Sequence, residues 1–252
     1  MEQLTKKDIE NIKISGEILK ESLRLVASMV KPGVSGSHLN DVAEENIRKH
    51  GAKPSFLNYS SGRERPFPAS LCVSINENIV HGIPDDNQII QEGDIVGLDL
   101  GVSYKGLCTD SAVTVIAGKP RDSNHKKLLE ATRESLMAGI KQAKVGNTTG
   151  DIGQAVERVA VDKGFNVVKS LVGHGIGKSP HQEPQVPNFG KAGSGVSLIE
   201  NIAIAIEPMV VIGKNDLKTA SDGWSIGTMD KSMTAHFEHT VLITNSGNLV
   251  IT

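Results

Sequence analysis

In this chain of 252 residues, Lys31, Gly33, Leu39, Val42 and Gly51 recur as Lys144, Gly146, Ile152, Ala155 and Gly164. The displacement is 113 residues and needs no gap. Each set is preceded by a long amphipathic pattern. In the first, Thr5 and Asp8 have the spacing of a capping box, and Ile9, Ile12, Leu19, Leu23, Val26 and Val30 then recur at helical spacing. In the second, Leu128, Leu129, Thr132, Leu136 and Ile140 do the same. After the Lys31-Pro32-Gly33 loop a second helix is predicted over about Ser37 to His50. Leu39, Val42, Ala43 and Ile47 share one of its faces, and Gly51 stops it.

The β-type segments repeat as well. EGDIVGLD (92–99) lines up with ENIAIAIE (200–207), and TDSAVTV (109–115) with FEHTVLI (237–243). A loop, a helix, its stop signal and two strands matching together point to internal duplication. No Pro/Gly/Ser linker separates the copies. The expectation is one α+β domain over 1–252, built of related halves at roughly 5–120 and 121–252 that share a sheet.

Composition narrows the function. Hydrophobic residues make up 38% and charged residues 22%, as in ordinary globular chains. A net charge of −2 and only 3% aromatics argue against nucleic acid and anionic lipid as partners. Two cysteines fit a reduced protein. The N-terminus is charged throughout, and the longest aliphatic run, Ile202 to Ile206, is too short to span a bilayer. A cytoplasmic, soluble, monomeric protein is expected.

Acids occupy matching strand positions in both halves. Asp99 lies within the buried-looking run DIVGLDLGV, and Asp110 opens the next strand in LCTDSAVTVI. A hairpin turning at Tyr104-Lys105 would set these two aspartates directly opposite each other, with Cβ atoms about 5 Å apart, where like charges repel. Glu207 takes the place of Asp99 in the second copy, and Glu238 that of Asp110. Four such acids converge if the halves pack about a pseudo-twofold axis. A pair of divalent metals about 3.5–4 Å apart would relieve the repulsion and supply catalysis.

The stretch LVGHGIGKSPHQEP (171–184) resembles a phosphate loop at first sight. It fails on two counts, because Val172 stands where the required glycine belongs and Pro180, Pro184 and Pro187 preclude the helix that must follow. His174, after a strand and between Gly173 and Gly175, is instead a nitrogen ligand for the acids, with the glycines expected to let backbone approach a metal centre. His38, His50 and His125 lie on or beside charged helix faces, and His236 and His239 flank Glu238. All five are read as surface residues or as neighbours of the ligands.

Five segments together resemble the type I methionine aminopeptidases of the pita-bread (creatinase/aminopeptidase-like) fold. They are SINENIVHGIPDD (74–86), DIVGLDLGVSYKGLCTDSA (94–112), GHGIGKSPHQEPQV (173–186), IEPMV (206–210) and HFEHT (236–240), in family order along nearly the whole chain. The resemblance implies two pseudo-twofold halves sharing a curved antiparallel sheet with helices outside. It implies a dinuclear site of Asp99, Asp110, His174, Glu207 and Glu238, with Asp110 and Glu238 bridging two divalent ions drawn from cobalt, manganese, iron or zinc. Independently, carboxylates with one imidazole suit manganese, iron or cobalt better than a thiolate-type zinc site does. By the same resemblance Glu207 shuttles a proton, His181 stabilises the oxyanion, and His81 contacts the scissile amide nitrogen. Phe67, Cys72 and Trp224 fall at positions that line the methionine pocket. The implied substrates are nascent polypeptide N-termini near the ribosome.

The chain departs from the family pattern at Glu64-Arg65-Pro66, which replaces an aromatic-His-Gly run, and at Pro180, where a bulky aromatic is common. Three rival readings are a proline-specific peptidase of the same fold, a binding protein of that fold without metals, and a nucleotide-binding protein. The first usually carries a separate N-terminal domain, the second lacks several ligands, and the third needs the glycine and helix missing here.

Overall fold

The structure, a computed structural model, describes residues 2–60, 62 and 65–252. Glu64 lies outside the described residues. The first half contains α1 (Lys6–Met29), α2 (Gly36–Lys49), β1 (Lys53–Pro54), β2 (Leu71–Ile75), β3 (Asn78–Val80), β4 (Ile95–Tyr104) and β5 (Leu107–Ile116). The second contains α3 (Ser123–Gln142), α4 (Thr149–Asp162), β6 (Asn166–Val167), β7 (Gly173–Ile176), β8 (Gln182–Val186), β9 (Ala203–Ile206) and β10 (Met209–Val211). It continues through β11 (Leu217–Thr219), β12 (Ile226–Thr228), β13 (Thr234–His236), β14 (His239–Thr244) and β15 (Gly247–Val250).

The 113-residue offset recurs in the element boundaries. Met29, Gly36 and Lys49 each lie 113 residues before Gln142, Thr149 and Asp162, and β1 stands in the same relation to β6. Thr5 caps α1 through the expected box: its hydroxyl accepts from the Asp8 N–H at 3.2 Å, and the Asp8 carboxylate accepts from the Thr5 N–H at 3.0 Å. Thr148 and Asp151 repeat the box on α4. Such a cap stabilises a helix by about 1 kcal/mol.

The apolar stripe of each helix pair covers the outer face of its own strands. Leu19, Leu23, Leu39 and Ile47 pack on Leu71 and Leu98 in the first half. Leu128, Leu136 and Ile152 pack on Ile204, Ile206 and Val241 in the second. A third cluster joins the copies, with Leu4 and Ile12 meeting Leu107, Ile176, Leu242 and Ile251. Each such side chain, fully buried, stabilises the fold by about 1.5–3 kcal/mol. The helices therefore lie outside, and the inner face is left for polar groups.

One sheet orders its strands β1-β4-β2 with β5 along β4, and another β15-β14-β9-β7-β8. They abut where β5 meets the β13–β14 segment. The Glu238 N–H donates to the Ala112 carbonyl at 3.0 Å, and the Ala112 N–H returns a bond to the Glu238 carbonyl at 3.4 Å. Two residues along, the Thr240 hydroxyl accepts from the Asp110 N–H at 2.9 Å and donates to its carbonyl at 2.8 Å. The Thr114 hydroxyl does the same for the backbone of His236. A curved antiparallel surface thus runs across both halves. Among the described residues no helix is long and apolar enough to cross a membrane.

The β4–β5 hairpin corrects the expected register. Tyr104 pairs with Leu107, so Asp99 faces Ala112 and Asp110 faces Gly101. Lys105 and Gly106 form the turn with φ of 48° and 82°. A two-residue turn with both φ values positive places glycine at its second position, which the expected turn at Tyr104-Lys105 had left outside. Because side chains alternate with period two, the shift keeps both aspartates on one face, as diagonal rather than directly opposed neighbours.

The seam supplies a test of how the halves hold together. Thr240→Val keeps the shape but strands a buried N–H and carbonyl of Asp110. It should lower unfolding free energy by about 2–3 kcal/mol in urea titrations, and a loss below ~0.5 kcal/mol would show that the bridge contributes little.

Candidate metal centre

The polar inner face gathers the predicted ligands. Asp99 on β4 and Asp110 on β5 are buried, and Glu238, immediately before β14, is buried with them. Glu207 follows β9 directly. The β9–β14 ladder ends at the pair His239↔Ile206, so Glu207 and Glu238 are the next residues on their strands. Asn188, itself buried, donates its side-chain N–H to the Glu207 carbonyl at 2.9 Å and fixes that corner. Nothing in its local sequence distinguishes Asn188 as a supporting residue.

His174 lies in β7 with its Nδ1 2.9 Å from the Gly175 carbonyl. A carbonyl only accepts, so Nδ1 carries the proton, and Nε2 faces Glu207 Oε1 at 3.4 Å. A neutral imidazole of that tautomer presents a lone pair to the site, as a metal ligand must. The flanking glycines serve a different purpose from the one expected. A Cβ on Gly173 would lie 2.4 Å from the Ala205 carbonyl oxygen, and one on Gly175 2.2 Å from that of Glu183. The glycines make room for the strands on either side of β7.

Among the described residues, three groups of potential ligand atoms lie within 4.8 Å of one another: Asp99, Asp110 and Glu238; His174, Glu207 and Glu238; and Asp110, His174 and His181. Glu238, Asp110 and His174 each belong to two of them. The residues fit divalent cations on direct grounds. Asp99 Oδ1, Asp110 Oδ1 and Glu238 Oε1 are buried with no hydrogen-bond partner among the described residues. Buried acceptors crowded in this way need protons or cations. Burial, partly offset by His236, lifts Asp99 to about 6. Burial and then the neighbouring carboxylates, Asp99 and Asp110 respectively first among them, hold Asp110 and Glu238 well above their ordinary range. At Glu207 burial acts upward, but the contact with His236 and the surrounding imidazoles of His174, His236 and His181 outweigh it and leave its carboxyl low.

A cavity of about 340 Å3 opens onto this centre. Phe67 and Trp224 meet edge to face across it at 5.2 Å, and the indole N–H donates to the Arg65 carbonyl at 3.0 Å. Cys72 pairs with Asp99 in the β2–β4 ladder, so the apolar wall begins one strand from the carboxylates. His181 stands at the mouth, its ring 4.3 Å from that of His174 and 4.9 Å from that of Tyr59. His181 is exposed on its solvent side, while partial dehydration where the ring faces the cleft and the neighbouring His174 push its imidazole below the usual histidine range. His81 adopts φ of 57°, and a Cβ on the following Gly82 would lie 2.2 Å from the Val73 carbonyl. The His-Gly pair thus aims the imidazole from a backbone conformation that ordinary side chains rarely adopt. Its ring stands 6.1 Å from Trp224.

Tyr59 and Phe56 also line the cavity, with no signal in their local sequence. His38 and His50 are exposed as expected, and His236 does neighbour the ligands, with Nε2 3.5 Å from Glu207 Oε2. His239 is half-buried beside Thr252. His125 departs from the surface reading. It is buried, because it extends the Leu128, Thr132, Leu136 stripe of α3 one turn back, whereas Lys126 is exposed.

The model of metallopeptidase family M24 matches residues 10–245. The methionine aminopeptidase of Aquifex aeolicus is 43% identical over 100% of this chain and 98% of its own length. The crystal structure of methionine aminopeptidase from Thermotoga maritima superposes with a TM-score of 0.96 at 38% identity, covering 100% and 99% of the two chains. The prolidase of Pyrococcus furiosus shares the fold at a TM-score of 0.79 and 22% identity. It covers 99% of this chain, which spans 65% of the prolidase. The pita-bread architecture expected from the motifs is therefore present.

Raised carboxyl values have a definite sign in stability. In the metal-free protein Asp99 holds its proton more tightly folded than unfolded. Its contribution is full below its ordinary value of 3.8 and is lost as pH rises through about 6. Metal-free Asp99→Asn should therefore gain roughly 1–3 kcal/mol on the wild type between about pH 4 and pH 7. Urea unfolding in a chelator measures it, and a pH-independent difference would contradict the assignment.

Proposed function

The chain belongs to metallopeptidase family M24, and on that premise we propose that it is a methionine aminopeptidase. It would remove the initiator methionine from nascent chains and peptides whose second residue is small. The observation that carries this reading is the shared cavity: Phe67, Cys72 and Trp224 form an apolar wall beside Asp99, Asp110 and Glu238. An unbranched thioether suits such a wall, since sulfur packs well against aromatic edges.

Asp99, Asp110, His174, Glu207 and Glu238 would hold two divalent ions of cobalt, manganese, iron or zinc, with Asp110 and Glu238 shared between them. Such ions, when bound, act as Lewis acids that acidify water and polarise a carbonyl. The chain's own groups supply the rest. Glu207, whose carboxyl is held low, accepts a proton on its carboxylate and delivers it to the leaving amine nitrogen. His181 is neutral and donates an N–H to the oxygen that gains charge. His81 contacts the scissile amide nitrogen from its fixed backbone position. Phe67 and Trp224 clamp the methionine side chain and so place the carbonyl over the carboxylate cluster.

The chain would work as one catalytic domain of two duplicated halves, a reading supported by the hydrogen bonds that cross from β5 to β13–β14. A monomer acting on chains as they leave the ribosome fits a cavity open to one side. A proline-specific peptidase is the weaker alternative, because the prolidase likeness lies at the level of fold while full-length likeness is to methionine aminopeptidases.

Protein supplied with manganese, cobalt or ferrous iron should release methionine from Met-Ala-Ser and leave proline-linked dipeptides intact. Asp110→Asn should abolish turnover by removing a shared ligand. His181→Ala should lower kcat about 10²–10³-fold. Absence of methionine release with all three metals, or full activity in Asp110→Asn, would sink the proposal.

A further inference from the structure

His236 closes β13, carries no role in the reaction described above, and is 3% exposed. Its Nε2 lies 3.5 Å from Glu207 Oε2 and 4.0 Å from Glu238 Oε2. No hydrogen-bond partner at ordinary distance satisfies that nitrogen among the described residues. A fully buried ring nitrogen whose nearer neighbour is the Glu207 carboxylate is placed to be a donor, because an ionised carboxylate only accepts. The two oxygens of Glu207 are therefore divided between two imidazoles, with His174 Nε2 3.4 Å from Oε1 and His236 Nε2 beside Oε2.

The backbone of His236 has little freedom. Its N–H donates to the Thr114 hydroxyl at 2.9 Å, that hydroxyl donates to its carbonyl at 2.7 Å, and in the β10–β13 ladder it pairs with Met209. Met209 lies two residues beyond Glu207. The imidazole is thus fixed to both halves of the molecule, and a separation of 3.5 Å is closed by a small rotation of the carboxylate.

We propose that His236 is a positioning residue for Glu207, an N–H donor that holds Oε2 so that Oε1 is presented to the cation site. The inference rests on the reading of Glu207 as ligand and proton carrier. It requires that the donor matter, and not merely the volume of the ring.

Two variants separate these effects. His236→Gln retains a side-chain N–H donor, whereas His236→Met fills similar space without one. Calorimetric titration of the metal-free proteins with manganese should show affinity for the weaker ion reduced about 10–100-fold in His236→Met. His236→Gln should stay within about threefold of the wild type. With Met-Ala-Ser, kcat should fall in His236→Met while KM changes less than about twofold, as expected when orientation and not binding is lost. Thermal melts of the metal-free proteins establish that each variant folds. Equal affinities in all three proteins, or equal losses in both variants, would overturn the proposal. If His236→Met fails to fold, a large loss of affinity in folded His236→Gln overturns it, and retained affinity supports it. The titration needs no substrate, so a wild type that binds manganese but releases no methionine would defeat the proposed reaction while leaving this result readable.

Discussion

The structure turns on the burial of four carboxylates from the two halves of the chain at one seam. Asp99, Asp110 and Glu238 are taken out of water within reach of one another, and Glu207 adjoins them. Each loses hydration and gains like-charged neighbours, both of which oppose ionisation. The fold can bear this because its apolar clusters lie elsewhere, under the helices of each half and beneath the junction of Leu4, Ile12, Leu107 and Leu242. Stability is supplied at the outer face, and the inner face is free to carry groups that destabilise it. Cations convert that liability into binding.

Geometry at the seam is set by paired hydrogen bonds between β5 and the β13–β14 segment. Asp110 and Thr240 exchange two bonds through a hydroxyl, and Ala112 and Glu238 exchange two through the backbone. These contacts place one acid from each half on either side of the pseudo-twofold axis. The histidines are held by other means. His81 depends on a positive φ and a glycine neighbour, His174 on a strand squeezed between two others, and His181 on ring contacts at the cavity mouth. Strands and the positions that directly adjoin them thus carry the four acids and His174, while His81 and His181 reach the cavity from loops.

Much of this was legible in the residue pattern. Helical periodicity and capping residues located α1 and α2 to within about two residues and marked the buried stripe of α3, and the aligned acids are residues that the structure brings together. What periodicity could not supply was register. The β4–β5 hairpin was displaced by the demand of its turn for Gly106 at a left-handed position, although the period of two preserved the face. Glycines beside His174 looked like space for a metal because a sequence does not reveal which strands flank β7. His125 looked exposed beside Lys126 and Lys127, whereas the α3 stripe turns it inward. Tyr59, Asn188 and His236 act through contacts with residues distant in the chain, and isolated side chains of those types carry no local signal.

Burial of the four carboxylates beside His174 predicts that these five residues hold a pair of cations. Anomalous diffraction from crystals equilibrated with manganese, collected at the manganese edge, tests it most directly. Two peaks are predicted, both within coordination distance of Asp110 and Glu238, with Asp99 on one and His174 and Glu207 on the other. A single peak, or none within reach of these side chains at saturating manganese, would contradict it.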